Sequence, residues 1–136
     1  MFPIQSVWFI RISLVYLLVG SLLGALLMFQ KAFGLDPEIW KFLPLHFTIL
    51  IWGFLISFIM GNAYWMFPKF LSEHPRGSSW QAWMMFCSYH LGLLLYLITK
   101  FFFPYDSLAL LGKFLIFLGL VIFMRLTWAR VISYNV

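Results

Sequence analysis

Four long apolar runs, almost empty of charge and separated by short polar stretches, constrain this chain more than any other feature. They lie at about Val7 to Phe29, Pro44 to Phe67, Trp80 to Thr99 and Leu108 to Trp128. A helix rises about 1.5 Å per residue, so each run has roughly the 17–25 residues needed to cross a hydrocarbon core about 30 Å thick. Composition closes the alternative. Of 136 residues 64% are hydrophobic and 10% charged; a soluble domain could not hide that apolar surface, and too few charges remain to solvate its outside. The expectation is an all-α integral membrane protein, a single four-transmembrane-helix domain over residues 1–136. The connections KAFGLDPEIWK, KFLSEHPRGSS and KFFFPYDS carry Gly and Pro turn chemistry. Their shortness predicts an up-down-up-down four-helix bundle.

The net charge of +5 then concerns orientation and lipid headgroups, which argues against nucleic acid as a partner. Arg11, Lys69, Arg76, Arg125 and Arg130 share the side of the termini and second loop; Lys31, Lys41, Lys100 and Lys113 lie opposite. Five basic residues against four favour both termini in the cytoplasm. The start, MFPIQSVWFIR, lacks a basic n-region and a cleavage site, and reads as a mature N-terminus. A single cysteine, Cys87, forms no intrachain disulfide.

All four acidic residues, Asp36, Glu38, Glu73 and Asp106, fall in connections. That argues against an intramembrane carboxylate cage or proton relay. Phosphate loops, nucleophile elbows, HExxH and cysteine clusters are absent from the sequence. Imidazole remains. His46 occupies the second run, KFLPLHFTILIWGFLISFIMGNAYWMFPK, on a helical stripe with Leu50, Gly53, Ser57, Gly61 and Tyr64. An intramembrane imidazole is costly without a partner. His90 sits near the middle of the third run.

Two imidazoles in a bundle suit a bis-histidine haem, with the porphyrin against Phe, Leu and Gly. Ordinary hydrogen bonding to a neighbouring helix serves His90 equally well. Counted from the outer lysines, the two histidines differ in depth by about 7 Å; counted from the inner basic residues, by about 13 Å. Tilt absorbs the first and not the second. Gly53 and Ser57, on the His46 stripe, are expected beside a flat cofactor, with close helix packing as the competing role of Gly53. Gly20 and Gly24 in GSLLG form a small-xxx-small pattern that suits a dimer contact, packing within the bundle, or a flat ligand. Lys31, Lys41 and Lys100 share the His46 side and are expected either to meet propionates or to snorkel. His74, in SEHPRG, reads as a solvated loop residue.

The second run also resembles a known helix. His46, then Trp52-Gly53-Phe54, Met60-Gly61-Asn62-Ala63-Tyr64-Trp65 and Phe67-Pro68 are similar to the second helix of the catalytic subunit of the heme–copper oxidase superfamily, nearest the nitric oxide reductase branch. The first run, with Arg11 and then LVYLLVGSLLGALL, resembles that family's glycine-rich first helix. The likeness covers roughly Phe9 to Phe70. It implies that His46 is an axial ligand of a low-spin haem b, and that the chain belongs to a bacterial inner membrane. In the family, later helices carry the second low-spin ligand and the active-site metal ligands, and His90 matches none of these.

Together these readings point to a small haem b (iron) protein with metal ligands His46 and His90, transferring electrons in or beside a respiratory complex. It would not be an enzyme alone, since the binuclear-centre ligands have no counterpart. Its partners would be the lipid bilayer and either a homo-oligomer or a larger respiratory membrane complex. A non-redox accessory subunit, or a haem with an open position for a gas ligand, are the alternatives.

Overall fold

The structure, a computed structural model, describes residues 3–34, 36–70, 76–103 and 105–133, with residue 133 described by its backbone alone. Four helices among these are long and apolar enough to cross a membrane: α1 (Ile4–Phe33), α2 (Pro37–Met66), α3 (Ser79–Phe101) and α4 (Asp106–Ser133). They outrun the apolar segments because the helical ladder continues into polar residues at the ends. In α1 it runs past Gln30 and Lys31, a cation suited to the carbonyl end. Gly34 stops it at φ 61°, the left-handed cap glycine tolerates, with its N–H on the Gln30 carbonyl at 2.8 Å.

The start of α2 follows at once. The Asp36 side chain accepts the Glu38 N–H at 2.9 Å, and Pro37 occupies the first helical position. Gln30 ties the two helices together by accepting the Asp36 N–H on its side-chain oxygen at 2.8 Å.

α2 is not one uniform helix. A 3₁₀ turn over Pro37–Phe42 leads into α-helix at Leu43–Thr48, a wider π stretch at Ile49–Ile56, and α-helix again at Ser57–Met66. A π turn shifts carbonyls off their usual i+4 donors. One carbonyl of this stretch, that of Trp52, accepts the Tyr89 hydroxyl at 2.7 Å. In lipid no water would fill that role, so the tyrosine hydroxyl stabilises the irregular stretch from α3.

Burial of apolar surface does not hold helices together where the solvent is itself apolar, so close packing at small residues takes over. In the α1–α2 pair, Gly24 lies on His46, Gly20 on Leu50 and Ile49, Gly53 on Tyr16, and Gly61 on Phe9. In the α3–α4 pair, Gly92 meets the backbone of Gly112 and Ile116, and Gly119 meets that of Tyr89. Phe9, Met60, Tyr64, Met85, Tyr89 and Leu93 form the buried centre between the pairs. Outward residues such as Leu18, Leu22 and Leu110 are exposed, as lipid-facing positions are.

Candidate functional site

His46 lies in the short α-helical segment just before the π stretch, half-buried against α1. Its Nδ1 stands 2.8 Å from the Gly20 carbonyl oxygen. A carbonyl only accepts, so Nδ1 carries the proton and Nε2 holds the lone pair. Gly24 provides the room: a Cβ there would stand 2.7 Å from Cε1 and 3.5 Å from Nε2. The two glycines of GSLLG thus work on one imidazole, Gly20 through its carbonyl and Gly24 through its missing side chain. Packing within the bundle is the role the structure assigns them, among those the pattern allowed.

His90 is held differently. It is buried, its Nε2 is 3.4 Å from the Ser57 hydroxyl, and its Nδ1 has no hydrogen-bond partner among the described residues. Aromatic rings enclose it, with Phe86 at 4.7 Å, Phe9 at 5.1 Å and Tyr89 at 5.4 Å between centroids. Tyr16 stacks on it at 6.0 Å and 16°. Tyr16 is also the residue that fills the space at Gly53, where a Cβ would come within 2.6 Å of its Cγ. Gly53 and Ser57, expected beside a cofactor on His46, therefore sit with Tyr16 and His90. For Gly53 the observed neighbour is another helix.

The two imidazoles expected to share an iron are not brought together. His46 meets α1 at Gly20 and Gly24, whereas His90 meets it at Phe9 and Tyr16. Along α2, Ser57 lies 11 residues beyond His46, about three turns of helix. Imidazole–metal bonds are about 2 Å long, so one ion cannot take both rings while these contacts hold.

Arg130 is a residue the sequence reading missed, having entered only as one inner charge. It is fully buried near the end of α4 and donates Nε to the Pro68 carbonyl at 2.7 Å and a terminal nitrogen to Tyr64 at 2.9 Å. Its other terminal nitrogen reaches the Phe67 carbonyl. These are the last carbonyls of α2 and its exit, where a cation is favoured. Its guanidinium also stands over the Tyr64 ring, 5.4 Å from the centroid. Of the outer lysines, Lys41 pairs with Glu38 at 3.0 Å, an exposed pair of small energetic value. His74 lies outside the described residues.

Comparison with known proteins finds no family model that matches this chain, and no curated protein or solved structure similar to it.

Proposed function

We propose that this chain is a small membrane haem b protein, an up-down-up-down four-helix bundle with His46 Nε2 as an axial ligand. In this reading it relays electrons in or beside a respiratory complex of a bacterial inner membrane, with both termini cytoplasmic. The observation that carries the proposal is the Nδ1 contact to the Gly20 carbonyl at 2.8 Å. Metal-ligating histidines donate their second N–H to a carboxylate, carbonyl or water, which fixes the tautomer and aims the other nitrogen. The likeness of the first two helices to the heme–copper oxidase superfamily supports the same residue. For the helix order, support comes from the contacts. Residue numbers on α1 fall as those on α2 rise, from Gly24–His46 to Phe9–Gly61, and Gln5 at the start of α1 bonds Ser79 at the start of α3.

Haem b, when bound, supplies a one-electron iron couple tuned by its axial ligands and its apolar surroundings. His46 would hold the iron, the Gly20 carbonyl would keep the imidazole in its tautomer, and Gly24 would leave the ring space. The separation of His90 from His46 favours a second axial position filled from another subunit, in a homo-oligomer or larger complex, or open to a gas ligand.

Absorption spectra of the detergent-solubilised protein test this. A Soret band and a sharp reduced α band are expected, lost in His46→Ala and kept in His90→Phe. Carbon monoxide would shift the reduced spectrum only if the second position is open. A colourless protein that takes up no added hemin would overturn the haem reading in favour of a cofactor-free accessory subunit.

A further inference from the structure

A cavity of about 320 Å³ opens between α2, α3 and α4, away from the two histidines' contacts with α1. That volume is at the small end of ligand pockets. Its walls are Trp52, Leu93, Ile116, Phe117 and Leu120, and its polar edge is Tyr96 with Lys113. One wall is fixed by the bond from Tyr89 to the Trp52 carbonyl.

Charge is concentrated at one end. The Lys113 ammonium stands 5.7 Å from the Tyr96 ring centroid. Lys100 is four residues along α3 from Tyr96 and so lies one turn further on the same face. Both lysines are exposed, and neither makes an ion pair among the described residues. Asp106, the acid at this end, lies in the first turn of α4, seven residues before Lys113, and is likewise unpaired among them. From Lys113 the apolar wall runs seven residues to Leu120, about 10 Å of helix toward the middle of the span. A cation this far inside an apolar helix is costly unless an anion or water meets it.

We propose that this groove binds an anionic phospholipid, its phosphate on Lys113 with Lys100 one turn away and one acyl chain along Ile116 to Leu120 against Trp52. The two ends of the cavity match the two ends of such a molecule. Basic pockets between membrane helices select anionic headgroups, each lysine contributing on the order of a fivefold preference. The proposal does not depend on haem.

Native mass spectrometry of the purified protein in detergent, with equal phosphatidylglycerol and phosphatidylcholine, tests it. The unaltered chain should retain phosphatidylglycerol at least about fivefold over phosphatidylcholine. Lys113→Gln should remove most of that preference, Lys100→Gln a smaller part, and Lys31→Gln, on α1, none. Ile116→Trp, which fills the groove, should weaken retention of both lipids. Circular dichroism checks that each variant remains helical, and Lys100→Gln keeps the test decisive if Lys113→Gln does not fold. Equal retention of the two lipids, a preference unchanged by both lysine variants, or displacement of phosphatidylglycerol by a neutral isoprenoid quinone would each overturn the proposal.

Discussion

The glycines of the two helix pairs do opposite things. Between α1 and α2 they receive side chains: Gly24 takes His46, Gly53 takes Tyr16 and Gly61 takes Phe9. Between α3 and α4 they let backbones touch, so that a Cβ on Gly92 would stand 2.7 Å from the Gly112 oxygen and the Ile116 nitrogen. A side chain can change rotamer when crowded; a backbone can yield only by moving its whole helix. The α3–α4 pair is thus a rigid support, while the α1–α2 pair is a set of side-chain sockets, one of which orients an imidazole. The same contrast separates the histidines. His46 has one nitrogen committed to a carbonyl, whereas His90 is a packed aromatic among aromatics with a long contact to Ser57.

Substitutions at these glycines can break the contrast. The largest effect is expected at Gly92→Ala, where backbone must move: about 3 kcal/mol of lost stability, the upper part of the overpacking range, read by denaturant unfolding in micelles. A loss below about 1 kcal/mol would show that α3 and α4 separate easily and are not the rigid pair. Gly53→Leu comes next, at about 2 kcal/mol, because Tyr16 must leave its place on His90. If haem is bound through His46, it should stay bound in this variant; loss of haem with helices intact would put the ring beside Gly53 after all.

Gly24→Ala should cost about 1 kcal/mol of stability, since the methyl pushes only on an imidazole. Its larger consequence is for ligation: hemin affinity should fall about 10- to 100-fold, the range for disturbed support of a metal-bound histidine. An unchanged hemin titration would detach the GSLLG contact from function. The smallest effect is expected for Tyr89→Phe. Losing the bond to the Trp52 carbonyl should cost about 0.6 kcal/mol, the usual size of an interhelical hydrogen bond in membranes. A cost well above about 2 kcal/mol would make that bond the main support of the π stretch.

Much of the architecture was legible from local pattern. Four apolar runs of spanning length define four helices, since lipid leaves a polar backbone no other way to satisfy itself within one segment. Gly34 and Pro37 mark the first turn by their own backbone preferences. The α2 stripe of His46, Leu50, Gly53 and Gly61 does face a neighbour, because helical periodicity needs only the sequence of one element. What that stripe meets is another matter. The contacts of His46 with Gly20, of His90 with Ser57 and of Arg130 with Tyr64 join residues 26, 33 and 66 positions apart. Such contacts depend on the axial shift of one helix against another. A one-turn slide would give every run the same composition and every histidine a different partner. Depth counted from flanking lysines could therefore allow a shared iron, while only the packed register, set where Gly92 and Gly112 bring backbones together and Arg130 caps α2, separates the two imidazoles.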